Sequence, residues 1–259
     1  MRQSGFSLVE LSIVLVILGL LTGGILAGQS LIRAAELRSV SAQLQQNMTL
    51  FYSFRDKYFA LPGDMTNATA FWGEAGTGSY SGACPGTNAD PSTDTGTCDG
   101  NGDGRLAPST NSVEQFRAWQ HLANAGMIEG SYTGVQGPAG NIDGDAGDNV
   151  PRGKLSNSGF SVDYIPSLHA SYYPALTAKN IMRFGADAPS SNNNPPVGQI
   201  FTSEEAWNID TKLDDGRPGY GKVIVNNNSN CATTTTDSTA EYALSVNVVS
   251  CHLAFTNIF

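Results

Sequence analysis

Residues 6–27 read FSLVELSIVLVILGLLTGGILA. No proline, lysine or arginine interrupts them, and Glu10 is their only charged residue. At 1.5 Å per residue, a helix of about 22 residues crosses a hydrocarbon layer of about 30 Å. The run therefore predicts a membrane-spanning helix. It follows MRQSG, a short stretch that carries Arg2. Positive charge ahead of an apolar run holds that end on the cytoplasmic side. The remainder of the chain is expected across the membrane, outside the cytoplasm.

The small residue sits on the unusual side of this run. A secretory signal is cut after its apolar segment, at a small-residue site. Here Gly5 precedes the segment and no A-x-A-like site stands out behind it. A cut after Gly5 leaves the apolar helix on a mature chain beginning at Phe6; an uncut signal anchor is the competing reading. Glu10 separates the two. A carboxylate in a spanning helix costs roughly 2.5–3.5 kcal/mol on insertion scales, and such residues mark function. With Phe6 first, the α-amine and the Glu10 carboxylate lie four residues apart. They can pair within one chain or between helices packed side by side, and either pairing offsets part of the burial cost.

GFSLVEL at residues 5–11, with its short basic leader and apolar continuation, resembles the prepilin motif of type IV pilins and type II secretion pseudopilins. The resemblance covers residues 1 to about 60. It implies cleavage between Gly5 and Phe6 by a membrane-embedded aspartyl prepilin peptidase, followed by N-methylation of Phe6. It also implies that subunits leave the membrane lipid through inner-membrane assembly machinery. They then pack helix to helix in a homo- or hetero-polymeric filament, with Glu10 facing a neighbour's N-terminal amine. The implied location is the bacterial inner membrane before assembly and an extracytoplasmic filament, periplasmic or on the cell surface, afterwards. Pilins often carry a helix-kinking proline in the first stretch; its absence here favours the pseudopilin or atypical-pilin branches.

All twelve prolines lie at or after Pro62, so one helix is expected from about Phe6 to Tyr58. Beyond Arg33, Ala34, Leu37, Val40, Leu44, Met48 and Phe51 recur at helical spacing, a stripe suited to packing on a globular body. Gly19, Gly23, Gly24 and Gly28 weaken the helix locally but let membrane helices approach closely. LPGD at 61–64 ends the helix with a turn. A short amphipathic helix is expected over 113–129, capped by Ser112, with Phe116, Trp119, Leu122 and Ala123 on one face and Gly126 near its end. Strands are expected at 159–165, 180–185, 221–225 and 240–255, and another short helix at 203–214. The fold class is thus α+β: a long N-terminal helix on a mostly antiparallel sheet with long loops, which is also the pilin architecture. The expected divisions are a leader (1–5), a membrane and filament-core helix (6–30), its amphipathic continuation (31–60) and an extracytoplasmic body (61–259).

With 14 basic and 23 acidic residues, net charge −9, the chain is a poor candidate for binding nucleic acid through phosphates. No G-x-S-x-G, H-E-x-x-H or P-loop pattern is present, and His121, His169 and His252 are scattered. No enzymatic activity is expected, and no catalytic residue is assigned.

The four cysteines, Cys84, Cys98, Cys231 and Cys251, all follow the apolar run. Three pairings are formally possible, and proximity favours Cys84–Cys98 and Cys231–Cys251. Many pilins carry a C-terminal disulfide loop of the second kind. Directly after Cys98, residues 99–106 read DGNGDGRL. Oxygens at the first, third and fifth positions and glycine at the sixth match the front of a calcium loop. Asp99, Asn101 and Asp103 would offer side-chain oxygens and Arg105 its carbonyl. Thr110 stands where the loop wants a bidentate Glu, and Glu114 is the nearest acid. A solvated acidic turn is the competing reading, and the calcium sites of secretion pseudopilins and some pilins favour the ion. Acid-rich turns at 141–149 and 208–216 are weaker candidates. The expected function is a structural subunit of a type IV pilus or type II secretion pseudopilus filament. The alternative is a minor tip pilin presenting an adhesive or ligand-binding body.

Overall fold

The computed structural model of the chain describes residues 7–75, 95–109, 112–138, 142–165, 179–187, 194–226, 228–234 and 239–256. Gly5, Phe6, Cys84 and His169 lie outside them. Two compact units divide between Ser39 and Val40.

Helix α1 runs Leu8–Tyr58, a 51-residue element that no proline interrupts. In the first unit every large apolar side chain from Leu8 to Ile32 is exposed, Leu8 to 85%. In the second unit, Val40, Leu44, Phe51 and Phe54 are buried at steps of four, seven and three. The expected stripe therefore begins at Val40 and gains Phe54. Ala34 is exposed, and Leu37 and Met48 are half-buried. Phe51 meets Trp119 edge to face, ring centroids 5.5 Å apart. Tyr58 and Trp72 pack similarly, at 5.5 Å. The helix ends where Phe59 turns to φ 55° while its amide still reaches the Arg55 carbonyl at 2.8 Å. A left-handed residue just past the last turn is the usual way to close a helix.

Helix α2 (Thr69–Trp72) follows, then two-residue strands β1 (Pro108–Ser109) and β2 (Ser112–Val113), helix α3 (Glu114–Asn124), strands β3 (Ser158–Ile165), β4 (Lys179–Ala186) and β5 (Phe201–Thr202), helix α4 (Ser203–Leu213), and strands β6 (Val223–Val225), β7 (Val249–Cys251) and β8 (Leu253–Thr256). The main sheet is antiparallel in the order β3-β4-β8-β6, and β5 pairs with β7. Alternation along the strands sorts the side chains onto two faces. Phe160 lies opposite Phe184, and Met182 opposite Phe255, on one face. Ile165, Ile181, Ile224 and Ala254 form a buried cluster on the other. The second face also buries the Arg183–Asp163 ion pair. The architecture is α+β and pilin-like, as expected.

Three local expectations are corrected. Helix α3 is shorter than 113–129: Ser112 and Val113 belong to β2, and Gly126, at φ 70°, lies beyond its end. Glu114 through Leu122 are all buried, so α3 is a core helix with no solvated face over that stretch. The expected strand at 240–255 is two short strands, β7 and β8. Residues 240–248 are irregular, with Tyr242 bridging Ala232. Helix α4 has a complete capping box, with Glu205 N donating to Thr202 Oγ1 and Thr202 N donating to Glu205 Oε2.

Cys231 and Cys251 form a disulfide, linking the loop after β6 to β7 across 20 residues of sequence. Cys98 is also disulfide-bonded, while Cys84, its expected partner, lies outside the described residues. Closing a loop of this size restricts the unfolded chain by about 3 kcal/mol. The double substitution Cys231→Ala/Cys251→Ala should lower unfolding stability by about that amount in urea titrations. Dithiothreitol should shift the wild type toward the variant.

Candidate functional site

The turn after α1 and the start of α3 meet around the loop at 99–106. Pro62 cannot continue a helix, and Gly63 follows at φ 87°. A Cβ on Gly63 would lie 2.2 Å from the Glu114 carbonyl oxygen, so only glycine lets this turn rest on α3. Asp64 comes next, buried. Its Oδ1 accepts the amides of Gly102 (2.7 Å) and Asp103 (3.1 Å), and its Oδ2 accepts that of Gly104 (2.8 Å). Three consecutive amides of the glycine-rich loop thus converge on one carboxylate supplied from another segment.

Asp64, Asp103 and Glu114 each place a carboxylate oxygen within 4.8 Å of the other two. Glu114 Oε1 accepts the Asn101 amide at 3.2 Å, while Oε2 is buried without a partner among the described residues. Burial, opposed by the Asn101 amide and reinforced by Asp64 and Asp103, pushes the Glu114 carboxyl up to about 7. Burial also raises Asp64 above the usual carboxylate range. Asp99 is placed elsewhere. Its two oxygens take the Thr69 amide (2.8 Å) and hydroxyl (3.1 Å) at the start of α2. Asn101 Oδ1 accepts the Asp103 amide at 2.8 Å. The Arg105 amide donates to Asp103 Oδ1 at 2.9 Å, and its guanidinium lies over the Tyr164 ring. Asp64 was missed by sequence reading because it stands far from the loop; LPGD carried only a turn signal.

The other acidic turns are used internally. Asn149 bridges its own turn, accepting the Asp145 amide and donating to the Val135 and Asp143 carbonyls. Asp210, Asp214 and Asp215 also lie close together. There Asp210 accepts the Tyr242 hydroxyl at 2.8 Å and the Gly216 amide at 3.2 Å. Asp214 receives the Lys222 and Val223 amides, and Asp215 the Arg217 amide.

At the N-terminal end of α1, Ser7 and Glu10 form a reciprocal cap. Ser7 N donates to Glu10 Oε2 at 2.8 Å, and Glu10 N donates to Ser7 Oγ at 3.2 Å. This is the S-x-x-E capping box, which satisfies two of the orphan donors of a helix start. It was legible in the sequence, where Glu10 drew attention only as an intramembrane charge. The family model described as the prokaryotic N-terminal methylation motif matches residues 1–26. This N-terminal segment supports a likeness to type IV pilin-like proteins. Neither a curated protein nor a solved structure matches the chain. The motif implies processing by a prepilin peptidase and assembly as a pilin, and the exposed apolar helix fits membrane anchoring followed by an extracytoplasmic filament. The motif belongs to a structural family and carries no catalytic assignment.

In the body, His121 ties the same turn to the core. Gly63 N donates to His121 Nδ1 at 2.9 Å. Thr97 Oγ1 donates to Gln120 Oε1 and lies 2.9 Å from His121 Nε2. The proton of the neutral ring therefore sits on Nε2 and points to Thr97. Burial, with Arg117 nearby, lowers His121 to about 3. A histidine held neutral contributes stability that is present above its unfolded value of about 6.5 and is lost as pH falls toward about 3. Urea midpoints should drop between pH 7 and pH 4 more steeply for the wild type than for His121→Gln. Equal slopes would remove this role.

Proposed function

We propose that this chain is a structural subunit of a type IV pilus or type II secretion pseudopilus filament, processed at Gly5–Phe6 and assembled through the first half of α1. One observation carries the reading: behind a methylation motif stands an apolar helix segment, Leu8–Ile32, whose large side chains are all exposed in the single chain. Such a surface needs lipid or other apolar helices around it. Before assembly the membrane supplies that environment; in the filament, neighbouring subunits do. Gly19, Gly23, Gly24 and Gly28 have open space where a Cβ would stand. Among the described residues nothing requires small residues there, whereas close approach of another helix would.

Glu10 has two tasks in this reading. Within one chain its carboxylate closes the capping box with Ser7. A carboxylate offers about four lone-pair sites, so it retains acceptors for a neighbour's N-terminal amine in the filament. The attraction fixes the axial register of a helix surface that is otherwise uniformly apolar. The body, held outside the cytoplasm, works without catalysis.

Intact mass of the chain from native membranes or sheared filaments should show a start at Phe6 carrying one added methyl group; retention of MRQSG would reduce the segment to a simple anchor. Glu10→Ala should insert into membranes as well as wild type yet give few or no filaments by electron microscopy. Normal filaments from that variant would remove the register role. The share of this chain in the sheared material ranks it as a bulk or a scarce, tip-located subunit.

A further inference from the structure

We infer that Asp64, Asp103 and Glu114 bind one Ca²⁺ ion, and that the ion joins the turn after α1, the loop at 99–106 and the start of α3. The observation pointing to a ligand is Glu114. Its side chain belongs to a residue only 2% exposed, yet Oε2 has no hydrogen-bond partner among the described residues. An ionised carboxylate oxygen buried in that way is unfavourable unless a cation or donor meets it. Among the described residues no Lys or Arg pairs with any of the three acids. Instead the group brings together oxygens alone, all within 4.8 Å of one another.

The donor set selects the ion. Calcium is held by oxygens at about 2.3–2.6 Å in flexible geometry, so ligand oxygens around one ion lie up to roughly 5 Å apart. An upper limit of 4.8 Å between the three oxygens is compatible with that shell. Magnesium demands a nearly ideal octahedron at about 2.0–2.1 Å and is usually held by only one or two carboxylates with several waters, so a group of three carboxylates favours calcium. Zinc prefers nitrogen and sulfur, and the grouping contains neither.

The site also differs from the linear loop that the sequence suggests. Asp99 caps Thr69. Asp64 enters in its place, seated on the amides of Gly102, Asp103 and Gly104. Glu114 supplies the carboxylate that Thr110 does not. The ion would therefore be a tertiary clamp assembled only in the folded body.

The test uses the full chain in detergent, stripped of metal, with Ca²⁺ as the probe. Calorimetric titration should show one site per chain. At a concentration about 100-fold above Kd, the melting temperature should rise on the order of 5–10 °C over that in EDTA. Glu114→Gln and Asp103→Asn should each weaken binding at least about tenfold, since affinity follows the number of charged ligands. Asp103 is exposed, so its variant tests the site even if Glu114→Gln does not fold. Asp99→Asn should lower stability equally in Ca²⁺ and EDTA while leaving affinity within about twofold of wild type. Identical melting of the wild type in both solutions, or wild-type affinity in Asp103→Asn, overturns the site. A loss in Asp99→Asn as large as that in Asp103→Asn would return the ion to the linear loop and overturn the Asp64 assignment.

Discussion

The turn at Leu61–Asp64 is held from two sides by backbone hydrogen bonds, and the arrangement of the body around α1 depends on it. From one side, the Gly63 amide docks on His121 of α3. From the other, three amides of the loop at 102–104 dock on the Asp64 carboxylate. Gly63 makes both possible, because any Cβ there would collide with the α3 backbone. A long helix whose end was not fixed in this way would have no defined approach to α3. The edge-to-face contact of Phe51 with Trp119 would then lose its partner. Short polar contacts thus set the geometry, and the apolar contacts of Val40, Leu44, Phe51 and Phe54 supply most of the burial energy.

The two units solve opposite problems. In the body, both faces of the main sheet bury side chains, and Arg183 pairs with Asp163 across β3 and β4. In the first unit, the large apolar side chains of α1 from Leu8 to Ile32 are exposed. Burial by lipid or by other helices is the only way such a surface is stable in an aqueous cell. The contrast explains why charged residues are almost absent before Arg33 and why prolines begin only at Pro62. Proline would break a continuous helix, and charges would be costly in an apolar environment.

Much of this was legible because it rests on short-range chemistry. Apolar length, the Gly-Phe-x-x-x-Glu spacing, the stop at Pro62, strands β3 and β4, helix α4 and the Cys231–Cys251 pair each depend on residues close together in sequence. Errors arose where local preference met tertiary demand. The stretch at 240–255 has the composition of a strand. The chain brings Tyr242 to Asp210 and Cys251 to Cys231, which leaves 240–248 irregular and confines the strands to β7 and β8, divided at His252. Helix α3 looked amphipathic because Glu114, Gln115, Arg117, Gln120 and His121 are polar. All are buried, and hydrogen bonds such as Arg117 Nη1 to Gln120 Oε1 at 2.7 Å satisfy part of their demand internally.

The acidic group shows the limit most clearly. From the sequence, Asp99, Asn101 and Asp103 share a loop with the spacing of a cation site, and Glu114 stands near. Pattern and composition alone determined that this chain has a membrane-type helix behind a processing motif and that its body would carry an oxygen-rich loop. Only the folded chain decided which oxygens meet. It turned Asp99 to Thr69 and brought Asp64 across 39 residues to the Asp103 amide. A linear motif encodes neighbours along the backbone. Convergence of carboxylates from separate segments is fixed by how helices end and pack, and that information is spread over Gly63, His121 and the core beneath them.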